Sequence, residues 1–383
     1  MRKIRVLHIT RDDKFFDSVF VQFESDQRLD NKAVLEVKDK SHYNYRRIKN
    51  TEKVNLLTKQ EMCITLRNGE YDVLFFYSMP RRYYDYFKWI PDDKIVIWWG
   101  WGVELYKPIC RLRPLIPVSL YKPLTKRVLK EVAGNFFSAL KAMIGYTLLK
   151  PWNGRLQKKV LKRVDYFQPV LSQEIELMRK LKDFHAKEFY YPNSFSLVVS
   201  ESLVPKSESG NILVGNSQAP TNNHLDVWRD IQTFLPENRK VIFPINYLGD
   251  KKYAKLISEQ IKSDKNELLF LKDFMALNDY YALMDTCSYA VYGVIRQQAM
   301  GNIFGCLAKG IKVFLYRDSL VYRFLKEGGF VVFAIEDMDG SSFVRPLSLT
   351  EIEQNRKAFL RKYQYVNSVS ENAIDEIYER INR

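Results

Sequence analysis

NILVGNS, residues Asn211–Ser217, opens a series of five apolar runs that decides the fold of this 383-residue chain. KVIFPINY (Lys240–Tyr247), ELLFLKDF (Glu267–Phe274), YAVYGV (Tyr289–Val294) and KVFLYR (Lys312–Arg317) follow, with starts 29, 27, 22 and 23 residues apart. That interval holds one strand, one helix and two short loops. Apolar residues at helical spacing fill each gap, over Asn223–Phe234, Lys251–Ile261, Leu277–Cys287 and Gln298–Lys309. Strands without internal charge, alternating with helices, predict a doubly wound parallel α/β domain.

Working outward, the first part of the chain repeats the pattern less regularly. Ile4–Thr10, Asp72–Ser78 and Lys94–Trp99 read as buried strands, the last ending in Gly100-Trp101-Gly102. Val54–Leu66 has helical spacing; Tyr166–Val170 reads as a strand and Ser172–Leu181 as a helix capped by Ser172. Tyr191–Gly210, rich in Pro, Ser and Asn, is the linker candidate. Leu349–Ile381 is a charged terminal helix with Ile352, Phe359, Ile374, Ile377 and Tyr378 as packing positions. The expected divisions are 1–190, a linker at 191–210, a second domain at 211–348, and a helix at 349–383 that packs back on the first. The expected architecture is α/β, two Rossmann-like domains facing across a cleft that holds the ligand.

Composition narrows the class. With 46% hydrophobic and 27% charged residues the chain is globular rather than disordered. Cys63, Cys110, Cys287 and Cys306 lack zinc or disulfide-framework spacing and fit a reducing compartment. The start, MRKIRVLHIT, is too short in its apolar part for a signal peptide. The formal charge of +15 is concentrated. Between Lys107 and Arg163 stand fourteen Lys/Arg and one acid, Glu131, so this segment carries +13 and the rest of the chain +2. Apolar residues interleave the cations, and Val132–Leu149 contains only Lys141 as a charge. An interfacial amphipathic helix or re-entrant pair at an anionic membrane surface is the expectation. Nucleic acid is the rival partner, but no nucleic-acid-binding module is recognisable.

Ligands of parallel α/β domains gather at the carboxyl ends of strands, where helix N-termini aim N–H groups outward. That rule singles out Gly215, Asn216 and Ser217, then Arg296, Gln297 and Gln298 with Gly301-Asn302 opening the next helix. A guanidinium and two amides at a helix N-terminus suit a diphosphate; a plain αβ turn and a surface ion pair are the bland alternatives. Asn246-Tyr247 and Lys272-Asp273-Phe274 can line a base or ribose, or merely close a loop. On the first domain the candidates are His8, Asp12 and Asp13 after the first strand, and Glu104 after the Trp-rich turn. A carboxylate in a Trp-walled pocket should have a raised pKa, which suits a general base. His8 also reads as a core histidine.

With these residues in view, the chain resembles bacterial glycosyltransferase family 56, whose known members are dTDP-Fuc4NAc:lipid II Fuc4NAc transferases of enterobacterial common antigen synthesis. The resemblance rests on ILVGNS followed by NNH (Ile212–His224), FP-x-NY (Phe243–Tyr247), and YYALMDTCSYAVYGVIRQQAMGN (Tyr280–Asn302). WGVELY (Trp101–Tyr106) looks like the family's WGADLY with Glu104 in place of Asp; Gln298 is followed by Ala-Met where the family has Gly-Ile.

The family implies a GT-B fold, with a nucleotide-sugar held by the second domain and the acceptor by the first. No metal or other cofactor is implied. Carried over, Gly215, Asn216, Ser217, Tyr247, Arg296, Gln297, Gln298 and Asn302 face the donor, with Phe274 beside them. Glu104, before Asp13, takes the acceptor proton, and His8 and Trp101 lie on the acceptor side. The implied reaction moves a Fuc4NAc-like amino or deoxy sugar from a nucleoside diphosphate, dTDP first, to an undecaprenyl-diphosphate-linked saccharide. The implied place is the cytoplasmic face of the bacterial inner membrane, reached peripherally through 107–163. Asp337-Met338-Asp339 has the form of a metal-binding DxD but lies late in an acidic loop, and no metal site is expected. The competing class is a non-catalytic basic scaffold for membrane or nucleic acid.

Overall fold

The computed structural model describes residues 2–13, 15–106, 114–132, 154–190, 210–247, 249, 251–273 and 275–383. It divides into two compact units: Met1–Pro117, Phe136–Ser196 and Tyr363–Arg383 form the first, Val118–Asn135 and Leu197–Lys362 the second. The strands are β1 (Ile4–Thr10), β2 (Leu29–Glu36), β3 (Val54–Leu57), β4 (Val73–Phe76), β5 (Ile95–Trp99), β6 (Tyr166–Gln168) and β7 (Lys187–Glu188), then β8 (Asn211–Val214), β9 (Lys240–Pro244), β10 (Glu267–Leu271), β11 (Cys287–Tyr292), β12 (Lys312–Leu315) and β13 (Phe333–Ala334). The helices are α1 (Phe16–Ser25), α2 (Lys59–Asn68), α3 (Gly102–Tyr106), α4 (Pro123–Val132), α5 (154–163), α6 (Ser172–Arg179), α7 (His224–Ile231), α8 (Lys251–Gln260), α9 (Leu277–Met284), α10 (Met300–Ala308), α11 (Leu320–Glu327) and α12 (Leu349–Asn382).

The first unit is a parallel sheet in the order β3-β2-β1-β4-β5-β6-β7. Its order reverses between β1 and β4. β2 escapes the periodicity because Asp30 and Lys32 interrupt its exposed end, although Ala33, Val34 and Leu35 are buried. Val54–Leu57 is a strand, not the start of a helix. Thr58 and Glu61 make a reciprocal cap that fixes the helix start at Lys59. Ser172 is likewise not a cap: Glu174, fully buried, accepts the N–H groups of Val170 and Leu171 at 2.9 Å each and the Tyr106 hydroxyl at 2.5 Å. Ala373, Ile374 and Ile377 of α12 lie in the core of this sheet.

The second unit is a parallel sheet in the order β10-β9-β8-β11-β12-β13, reversing between β8 and β11. The expected helices appear with trimmed ends, and Cys287 begins β11 rather than ending a helix. α11 and β13 extend the series beyond the five runs. Phe359 of α12 packs on Phe304 and Phe330.

The basic segment was expected to lie wholly in the first domain; the structure divides it. α5, with Arg155, Lys158, Lys159, Lys162 and Arg163, belongs to the first unit, whereas α4 belongs to the second. Val128 is in the second unit's core, with Leu124 and Leu129 packed against it. The polar reason is stronger. Asp226, buried in α7, accepts Leu124 N–H at 2.9 Å on one oxygen and Thr125 N–H at 2.8 Å on the other. It caps α4 from another helix, satisfying donors that the first turn leaves open. Residues 133–149 of the expected amphipathic or re-entrant stretch and the 191–209 part of the linker lie outside the described residues. Asp226→Ala strips both buried N–H groups of a charged acceptor. It should lower stability by about 2–4 kcal/mol in urea unfolding and open 118–132 to limited proteolysis.

Candidate active site

In the second unit, the loops after β8 and β11 meet where the strand order reverses. The Gly215 N–H donates to Val291 O at 2.9 Å. Gly215 has φ +72°, and a Cβ there would come within 2.8 Å of His224 Nε2. Ser217 is folded into the turn rather than turned outward: Asn222 Nδ2 donates to its carbonyl and hydroxyl, each at 3.0 Å. Gln218 N–H donates to Tyr247 O at 3.0 Å, bringing the end of β9 to the same loop. Across the reversal, Thr221 Oγ1 donates to Gln298 Oε1 at 2.5 Å, and Asn223 Nδ2 donates to Gly293 O at 2.7 Å. Gly293 has no room for a side chain, since a Cβ would stand 2.2 Å from Asn222 O.

The structure therefore gathers Gly215, Asn216, Ser217, Tyr247 and Gln298, with Arg296 and Gln297 on the loop between. Arg296 donates to the Gln297 carbonyl. Asn302 lies in the first turn of α10. Phe274 lies outside the described residues. Among the described residues, Asn216 Oδ1 has no hydrogen-bond partner, and neither ring nitrogen of buried His224 has one. Burial pushes His224 down to about 3, so the ring is neutral. Thr221, Asn223 and Asp226 escaped the functional reading of the sequence. The detectable signal was Asp226 on the otherwise apolar inner face of α7. Asn223, which precedes α7, makes no side-chain cap bond; its amide spans Gly293 O, Leu120 O and Lys122 N–H.

In the first unit, the loops after β1 and β5 carry the acids. Asp12 is an anchor: burial would raise its pKa, but the N–H groups of Arg46, Ile48 and Arg47 and the Tyr43 hydroxyl outweigh that and lower it. Asp13 accepts the Phe15 N–H at 2.8 Å and remains partly exposed, and burial pushes it up to about 6. Phe15 packs against Trp101 with tilted rings, centroids 4.8 Å apart, and Trp101 against Trp99 in the same way at 4.9 Å. Asp13 thus sits beside an aromatic wall.

Glu104 is 3% exposed. Its Oε1 accepts the N–H of Trp101 at 3.0 Å and of Met79 at 3.1 Å, and Trp98 Nε1–H at 3.4 Å. Burial pushes it up to about 7, against those three donors. The pKa follows the expectation; the geometry turns the carboxyl inward, where it fastens the ends of β4 and β5. His8 is a core residue, fully buried among Phe20, Phe23 and Phe75, with Nε2 2.9 Å from Asn31 Oδ1. In the DxD-like loop, Asp337 pairs with Arg317 and Asp339 accepts from Ser341 and Ser342.

Two Rossmann-like units, each with its loops gathered at a strand-order reversal, define the GT-B class of glycosyltransferases. The chain belongs to the 4-alpha-L-fucosyltransferase family, glycosyl transferase group 56, whose model matches residues 158–373. It is therefore a glycosyltransferase, and the match spans every donor-side candidate while leaving Asp13 and Glu104 outside. The fold is similar to that of HepE from Anabaena, solved with UDP and glucose, at 10% identity and a TM-score of 0.60, covering 98% of this chain and 100% of that one. A glycosyltransferase from Rickettsia africae ESF-5 matches at 9% identity and 0.56, covering 100% and 99%. AviGT4, a glycosyltransferase involved in avilamycin A biosynthesis, matches at 9% and 0.52, covering 99% and 98%.

Ala299, at φ +61°, occupies a left-handed position before α10. Relieving that strain, worth about 1–2 kcal/mol, outweighs the added freedom of an unfolded glycine. Ala299→Gly should therefore raise stability by about 0.5–1 kcal/mol in urea unfolding. Glu104 gives a second test. Its folded value of about 7 exceeds the ordinary 4.5, so the folded state keeps a proton that the unfolded chain releases. The resulting stability is complete below pH 4.5 and lost as pH rises through 7, about 3 kcal/mol in all. Urea unfolding from pH 4 to 8 should show wild type losing that amount relative to Glu104→Gln; a pH-independent gap would mean that Glu104 does not titrate in this range.

Proposed function

We propose that the protein transfers a Fuc4NAc-like amino or deoxy sugar from a nucleoside diphosphate, dTDP first, to an undecaprenyl-diphosphate-linked saccharide in bacterial surface polysaccharide synthesis. The observation that carries the donor half is the meeting of Gly215, Asn216 and Gln298 at the β8/β11 reversal, beside Arg296 and the N-terminus of α10. Asn216 Oδ1, buried there without a partner among the described residues, is an acceptor that a ligand hydroxyl entering this loop would satisfy. The departing diphosphate takes its charge stabilisation from Arg296 and the N–H groups opening α10. This reading assigns the reaction no metal and no cofactor beyond the donor. The sugar class follows the family's 4-alpha-L-fucosyltransferase description, and the UDP and glucose of HepE support a nucleotide-sugar donor.

On the acceptor side Asp13 is the base. It has the exposure and, near 6, the proton affinity to accept a hydroxyl proton at neutral pH. Trp101 and Phe15 supply an apolar platform for a sugar face. Behind this surface Glu104 fastens the strand ends and His8 packs in the core. Work at the cytoplasmic face of the inner membrane, bound peripherally through the basic segment, completes the reading. Among the described residues no helix is long and apolar enough to cross a membrane.

A thermal-shift screen with dTDP, UDP and GDP tests the donor half, because a ligand that binds the folded state alone raises its apparent stability. dTDP should give the largest shift. Arg296→Ala should weaken nucleotide binding about 10- to 100-fold, the equivalent of one charge-assisted bond. Asp13→Asn should keep the nucleotide shift and lose sugar transfer, and wild-type transfer should fall as pH drops through 6. No shift with any nucleotide would sink the donor assignment.

A further inference from the structure

We propose that the outer face of α4, on the second unit, is a docking site for anionic phospholipid head groups. This rests on the membrane-associated reading above and moves its contact surface to the unit that reading assigns to the donor. The face borders a groove of about 630 Å³ whose lining includes Tyr121, Lys122, Lys126, Arg127, Lys130 and Asp318.

Four cations share that groove with one acid. Lys122 is paired, its Nζ 3.0 Å from Asp318 and 4.1 Å from the Tyr316 ring centroid. Lys126, Arg127 and Lys130 are exposed, and among the described residues none of the three makes an ion pair. Lys122, Lys126 and Lys130 stand four residues apart, so they form one stripe along the helix. Like charges at that spacing destabilise a helix rather than support it. The helix is held in spite of them, through Asp226 at its first turn and Val128 in the core. A fixed helix whose Lys126, Arg127 and Lys130 lack an anionic partner among the described residues fits an anionic surface.

A bilayer is the source favoured over a nucleic acid. Tyr121 is the aromatic residue in the groove's lining, and Lys122 is already held by Asp318, so stacking platforms for bases are few. In sequence α4 is followed by residues 133–149, which carry only Lys141 as a charge, a composition suited to an interface with lipid.

The test is co-sedimentation of the full chain with vesicles of phosphatidylcholine alone and with 30 mol% phosphatidylglycerol, at about 0.1 M salt. Wild type should bind the anionic vesicles alone. Lys126→Gln/Arg127→Gln/Lys130→Gln should bind about a hundred-fold more weakly, from roughly a fivefold factor per cation. Circular dichroism and thermal unfolding of the variant check that α4 is still formed. A fixed loss of binding in a folded variant supports the site. Equal binding by the folded variant overturns it, as does wild type binding neither vesicle. Two competitors separate the sources. If inorganic pyrophosphate at equal phosphate concentration displaces the protein, the groove reads a free phosphate. If a single-stranded oligonucleotide does so, it reads nucleic acid. Either result overturns the lipid assignment, and failure of both to compete supports it. The wild-type nucleotide shift, measured on the same preparation, keeps the two readings apart: a shift without vesicle binding sinks the docking site alone, and vesicle binding without a shift sinks the donor site alone.

Discussion

The second unit depends on a buried polar pin, Asn223 with Asp226. Asn223 gives its amide N–H groups to Gly293 O and Leu120 O and takes the Lys122 N–H, while Asp226 takes the next two N–H groups of the same segment. A buried carboxylate without its donors would cost several kcal/mol, so the pair tolerates no loose arrangement. It therefore joins three things that are far apart in sequence: the start of a basic helix, the first turn of α7, and the loop after β11. Gly293 completes the joint by leaving no space between that loop and Asn222.

The two raised acids of the first unit share a cause and differ in use. Burial raises both Asp13 and Glu104. Glu104 spends its acceptor oxygen on three donors of the surrounding strand ends, so its proton affinity registers in the stability of the fold. Asp13 accepts from the neighbouring backbone and still meets solvent, so its proton affinity is open to a substrate. The two buried histidines are neutral for the same reason as the acids are raised, and both act as packing groups.

The second sheet was legible because five of its six strands are short, free of internal charge and regularly spaced, and the donor-side residues sit at strand ends that such spacing locates. The first sheet was harder. β2 carries charges at its exposed end, and β3 is a four-residue strand fused in pattern to the helix after it, separated only by the Thr58–Glu61 cap. Glu104 was correctly read as a carboxyl in a Trp-walled pocket, but which way it faces depends on Met79 and Trp98, brought near by strand pairing. The division of the basic segment could not be read from charge at all. It is set by Asp226, a hundred residues downstream, whose significance lies in a contact and not in a pattern.

α12 has a consequence for the order in which the molecule forms. The first sheet begins at residue 4, yet its core includes Ala373, Ile374 and Ile377, and the Arg2 N–H donates to Asn382 Oδ1 at 3.0 Å. The strands and helices of the second unit lie between these two parts of the chain. During synthesis, at about 5–20 residues per second, the second sheet can pair and close while the first still waits for side chains that the ribosome has yet to release. The sheet made first is the one finished last, and for that interval the part of its core that Ala373, Ile374 and Ile377 complete stands unfilled, in want of a chaperone's shelter.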